Sequence, residues 1–130
     1  MTTPKETPRR YHTFRKRAHF PLSVLRINKR MIRSSDREPK WDHEVGANIG
    51  LEGLGILSEK RLPPCTDVRV EFLLPGECTE DTELLQADGR IRWSRPCAIR
   101  GKKLHFMDLE FTRLSPKAKA QIQRFLDEPR

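Results

Sequence analysis

Two segments of this chain carry groups suited to an anionic, planar ligand. The first is the basic stretch Arg15-Lys16-Arg17-Ala18-His19-Phe20-Pro21. Guanidinium groups meet phosphate through paired N–H donors and stack on flat rings. The second, about thirty residues on, is Asn48-Ile49-Gly50-Leu51-Glu52-Gly53-Leu54-Gly55-Ile56. Glycines there let a backbone reverse tightly and let a ligand come close. A purely structural reading stands beside this one. Gly50 and Gly53 can serve a tight turn alone, Asn48 can cap that turn through its side chain, and the arginines can keep an edge soluble.

Other chemistry finds no support. Nothing resembles GxSxG, a phosphate-binding GxxxxGK[ST] or a strand-GxGxxG-helix unit. Gly50, Gly53 and Gly55 lead into a strand, so a dinucleotide fold fails on context. His12, His19, His43 and His105 show no metal-ligand spacing with a cysteine, and Trp41-Asp42-His43-Glu44 reads as a polar loop. We therefore expect no catalytic residue, no metal and no cofactor, and a binding module in place of an enzyme. Cys65, Cys78 and Cys97 are odd in number and form no CxxC, so they read as free thiols of a reducing cytosol.

The elements that must position these segments follow from hydrophobic period. Residues 1–14, with Pro4 and Pro8, read as a flexible basic arm, and residues 15–130 as one barrel domain. A first strand around Leu22 to Ile27 opens at Pro21, and residues 28–41 form a loop or irregular hairpin. Val45 to Asn48 and Leu54 to Leu57 flank the glycine turn. Val68, Val70 and Phe72 alternate with polar residues in a strand with one buried face. Residues 77–83 form an acidic loop. Leu85, Ala87, Gly89, Ile91 and Trp93 share one face of a long strand, with Gly89 marking a bend or bulge. Arg100-Gly101-Lys102 is a hairpin turn, and Met107, Leu109 and Phe111 alternate in the last strand. The period then changes. Ser115-Pro116 is a helix start, Ala118, Ile122, Phe125 and Leu126 recur at helical spacing, and Pro129 ends the helix. The order predicts a mainly β fold: a small antiparallel barrel of six to seven strands with one C-terminal α-helix packed on it.

Charge is unevenly placed. Residues 1–40 hold 12 Lys and Arg against 3 Asp and Glu, whereas residues 41–130 hold 14 against 15. The surplus in the first third points to an anionic partner or to a solvated tail. No run of eighteen apolar residues is present and the N-terminus lacks an apolar leader core, so we expect neither a membrane span nor a signal peptide.

Taken in order, these pieces resemble the PilZ family over roughly residues 15–126. Arg15 to Pro21 looks like the family's RxxxR arm, and Asn48 to Gly53 like its [DN]xSxxG turn. Ala87-Asp88-Gly89-Arg90-Ile91-Arg92-Trp93 looks like its long strand. Leu109-Glu110-Phe111 and Leu114-Ser115-Pro116 look like its closing strand and helix start. The resemblance implies cyclic di-GMP as ligand, held by Arg15, Lys16, Arg17, His19, Asn48, Gly50 and Gly53. Arg15 matches the first motif arginine, Asn48 the residue that reads a guanine edge, and Gly53 the closing glycine. Two positions depart from the pattern. His19 stands where the second arginine belongs and cannot offer its bidentate fork, though it can stack. Gly50 replaces serine and removes a hydroxyl. One charge-assisted contact is worth about 1.5–3 kcal/mol and one neutral hydrogen bond about 0.5–1.5. Together they amount to roughly a hundredfold in affinity. Arg9, Arg10, Lys16 and Arg17 are the cations available to replace the lost charge.

The resemblance implies a cytoplasmic bacterial signalling module. It would bind cyclic di-GMP through arm and glycine turn and relay it to a protein partner of motility or polysaccharide machinery. One alternative is a degenerate PilZ-like module that binds protein without nucleotide. Another is a small basic barrel binding single-stranded nucleic acid. The near-neutral barrel and the scattered Tyr11, Trp41 and Trp93 speak against the latter.

Overall fold

The computed structural model describes residues 14–31, 44–75 and 84–128. The arm at residues 1–13, most of the expected 28–41 loop, the acidic loop, Cys78 and Pro129 lie outside these residues. Among the described residues seven strands and one helix follow in chain order: β1 Lys16–Ile27, β2 Arg30–Met31, β3 Val45–Ile49, β4 Gly53–Ser58, β5 Asp67–Phe72, β6 Leu85–Ile99, β7 Lys102–Leu114 and α1 Pro116–Asp127. Six of them close into a ring in the order β1-β3-β4-β7-β6-β5, with β5 pairing back onto β1, while β2 only extends the end of β1. Every pairing is antiparallel.

Closure depends on β1. Its first half pairs with β3, from Lys16↔Ile49 to Pro21↔Val45, and its second half pairs with β5, from Leu22↔Phe72 to Ile27↔Val68. This stagger is what closing a small sheet requires. It also corrects the expected start of the first strand. Pro21 does not open β1 but sits at its hand-over point, where its carbonyl accepts from Leu73 N at 3.2 Å. That bond lies just past the last β5 pair, so the missing proline N–H falls at a ladder end, where it costs little.

The inward residues are those the alternation picked out. Val68, Val70 and Phe72 pair with Gly89, Ala87 and Leu85 across the β5–β6 ladder, and Ile49, Leu54, Ile56, Ile91 and Leu109 complete the core, all buried. Each such side chain contributes about 1.5–3 kcal/mol on burial. Helix α1 presses Ala118, Ile122 and Phe125 into the same core. Its start is as expected: Ser115 Oγ accepts from Ala118 N at 3.1 Å and Pro116 takes the first turn. Its C-terminal carbonyls are met by β1, since Lys16 Nζ donates to Phe125 O at 2.9 Å and to Glu128 O at 3.1 Å. A cation there complements the helix dipole.

The β6–β7 hairpin runs longer than alternation suggested, to a turn at Arg100 and Gly101 with φ of 53° and 79°. Two irregularities bend it. Between Asp88 and Gly89 the ladder shifts, the bulge that Gly89 announced, and the extra residue is Thr112 of β7. Between Ile91 and Trp93 it shifts again, and here the extra residue is Arg92 of β6. The second bulge overturns one expectation. Trp93 does not share the buried face of Ile91; it pairs with Asp108 and is 38% exposed, on the outside of the barrel.

Candidate functional site

Arg15 enters β1 on its outward side, just beyond the end of β3, because Lys16 pairs with Ile49 and Arg17 with Asn48. The glycine turn lies directly beneath it. Gly50 N donates to Gly53 O at 2.9 Å, closing the reversal between β3 and β4. The glycines are needed here for space, since neither has a positive φ. A Cβ on Gly50 would overlap the carbonyl oxygen of Phe14, and one on Gly53 would overlap that of Leu109. The same Gly53 Cβ would come within 3.1 Å of Arg15 Nη2. The turn is thus a flat bed on which the arginine rests.

From that bed Arg15 Nη1 donates to Asn48 Oδ1 at 2.8 Å and pairs with Asp108 Oδ1 at 3.1 Å. Arg92 approaches the other carboxylate oxygen, Nε to Oδ2 at 3.7 Å. Asp108 is buried, so it depends on these guanidiniums to offset its lost hydration. Arg15 Nε is buried and has no hydrogen-bond partner. Beside this pair lie two rings, Trp93 and Phe106, with centroids 5.6 Å apart and planes inclined at 48°. Arg95 stands over the Trp93 ring at 5.2 Å. Arg15, Asn48, Arg92, Trp93, Phe106 and Asp108 together line a recess of 290 Å³. It offers guanidinium donors, an amide and an aromatic wall on one surface. It is too small to enclose a dinucleotide and has the size of one ring or one phosphate.

Of the residues singled out in the sequence, the fold gathers Arg15 and Asn48 in this recess, with Gly50 and Gly53 below. Lys16 takes the other side of β1, holds the end of α1 and lies 4.3 Å from the Phe125 ring centroid. Arg17 and His19 are exposed on the outward side of β1 and do not line the recess. Four lining residues were missed: Arg92, Trp93, Phe106 and Asp108. Asp108 left a signal, an acid between the apolar Met107 and Leu109, and Phe106 falls on the outward parity of the last strand. The bulge that turns Trp93 out left none. Cys65 and Cys97 are free thiols. Among the described residues no cluster of His, Cys, Asp and Glu could hold a metal ion, and no helix is long and apolar enough to cross a membrane.

The model of the PilZ domain matches residues 13–128. No curated protein matches. Among solved structures, the chain is similar to the Bacillus subtilis inhibitor of motility, MotI/DgrA, with a TM-score of 0.61 at 16% identity. The similarity covers 91% of this chain and 52% of that one, so the present chain spans about half of its relative. At such low identity the likeness concerns the barrel and its helix. The family match takes in all the strands and the helix, and on that ground the chain belongs to the PilZ domain family.

Proposed function

We propose that this chain binds cyclic di-GMP across the recess and passes the signal to a protein partner, in the cytoplasm and without catalysis. The observation that carries the reading is Arg15, seated on the glycine turn and tied to Asn48, with Trp93 and Phe106 alongside. A phosphate would meet the guanidinium while a guanine stacked on the exposed indole and shared its edge with Asn48. Stacking on an aromatic side chain is worth about 1–3 kcal/mol per base. Arg92 and Arg95 lie beside the rings and supply cations that His19 does not.

The same geometry argues for modest affinity. Asp108 already occupies Arg15, so a ligand phosphate has to compete with a carboxylate at 3.1 Å. Turning Arg15 toward the ligand would give its orphaned Nε a partner, which offsets part of that cost. The solved relative is an inhibitor of motility. That supports a partner in motility machinery for this chain, chosen by the surface around the occupied recess.

Calorimetric titration with cyclic di-GMP tests the reading. The expected dissociation constant is micromolar. A nanomolar value would contradict the competition by Asp108. No heat at several hundred micromolar ligand would overturn nucleotide binding and leave a module that binds protein alone.

A further inference from the structure

A second cationic site lies further along the outer wall. It is a groove of 990 Å³ bounded by the end of β1, the β1–β2 turn, β5, the middle of β6 and the end of β7. Arg90 of this groove and Arg92 of the recess are two residues apart on β6, about 7 Å along the strand.

Two aspartates organise the groove. Asp88 Oδ1 accepts from Arg69 Nε at 2.7 Å and from Arg26 Nη2 at 3.3 Å, and its Oδ2 accepts from Arg69 Nη2 at 3.3 Å. Asp67 Oδ1 accepts from Arg90 Nε at 2.9 Å. The hydrogen bond from Arg69 holds the Asp88 carboxyl below the usual carboxylate range, so it stays ionised and keeps its grip. The turn bearing Lys29 is fixed as well. Asn28, at φ 55°, donates its N–H to Asp67 O at 2.6 Å and accepts from Asp67 N through Oδ1 at 3.1 Å.

The carboxylates do not balance the cations. Among the described lining residues Arg26, Lys29, Arg69, Arg90 and Arg113 face Asp67 and Asp88, and with Glu110 opposite Arg90 at the edge a surplus of two positive charges remains. Lys29 and Arg113 make no hydrogen bond or close ion pair among the described residues, although Arg113 lies across the β6–β7 ladder from Asp88 and adds to the positive field on it. The buried Arg26 Nε also lacks a partner. Among the described residues no aromatic ring lines the groove. Guanidinium forks already oriented by carboxylates, with unmatched cations beside them, suit a compact anion of several charges.

We propose that this groove is a second ligand site, which takes a multivalent phosphate group independently of the recess. A phosphate oxygen would bridge Lys29 and Arg113 and reach the outer N–H groups of Arg26 and Arg69.

The test uses the full chain and inorganic tripolyphosphate, titrated calorimetrically at about 0.15 M salt. Binding in the sub-millimolar range is expected. The double variant Lys29→Ala with Arg113→Gln should weaken it by at least about fivefold. A control that removes the same charge from the helix, Lys119→Ala with Arg124→Gln, should change it less than about twofold. Arg15→Ala should leave it unchanged. Unaltered thermal melts would show that the variants fold. No binding at millimolar tripolyphosphate overturns the proposal. So does equal weakening in the helix control, which would mean attraction to net charge alone. Loss in the Arg15 variant would assign the anion to the recess and overturn it too.

Discussion

The recess and the groove share one construction and differ in what surrounds it. Each centres on an outward aspartate gripped by two arginines from separate strands or strand ends: Arg15 and Arg92 on Asp108, Arg26 and Arg69 on Asp88. In the recess the carboxylate side chain is only 10% exposed and the neighbours are rings and an amide. In the groove it is 17% exposed and the neighbours are further cations. The comparison teaches that an Arg–Asp–Arg cluster is not itself a recognition element. It fixes guanidiniums in place, and on the functions proposed above the adjoining residues select between a base and a bare anion.

The largest effect that could break this contrast is expected from Arg15→Ala. It removes the recess's innermost cation, and cyclic di-GMP affinity should fall by about 100-fold, the worth of one or two charge-assisted contacts. Tripolyphosphate affinity should stay put. Equal losses for both ligands would merge the two sites into one. Next comes Trp93→Ala, where a lost stacking partner should weaken cyclic di-GMP by about tenfold and again spare the anion. If the nucleotide binds as before, the rings are only a hydrophobic rim.

Gly50→Ser sharpens the comparison from the side of backbone space. The family pattern suggests that serine would add a ligand contact. The overlap of any Cβ with Phe14 O predicts the reverse: no gain in affinity, and a melt showing a loss of about 1–3 kcal/mol as the segment before β1 is pushed away. Tighter binding with an unchanged melt would show that Phe14 yields freely.

The smallest effect is a pH dependence seated in the groove. Arg69 depresses the Asp88 carboxyl in the folded state. Its contribution to stability is therefore present above the unfolded value near pH 4 and lost as pH falls through the lower folded value. Asp88→Asn should flatten the acid limb of a stability–pH curve below about pH 4 and leave recess binding intact. An unchanged acid limb would mean that the pair is screened by solvent.

Much of the fold was legible because one-sided burial writes itself as alternation, as in Val68, Val70 and Phe72. The helix start was legible because Ser115-Pro116 is a local signal. Ring closure was not, since the pairing of Leu22 with Phe72 is a long-range event with no local mark. The site divides the same way. Arg15 and Asn48 could be named from their resemblance to a motif, and Gly50 and Gly53 from the turn. Arg92 and Trp93 could be quoted as the end of a long strand but not placed on its outer side. Alternation carries a face along a strand only until a residue is inserted, and Arg92 is that residue.

The bulge at Arg92 makes the outer face of the recess a matter of counting. Give Arg92 a partner by adding one residue to β7 between Asp108 and Leu109, and regular pleating returns the indole to the interior beside Ile91. Every other side chain of the recess would still be encoded, yet its aromatic wall would be gone. This part of the surface is thus guarded by length more than by residue identity. It should withstand many substitutions along the hairpin and fail at a single in-frame codon gain on β7.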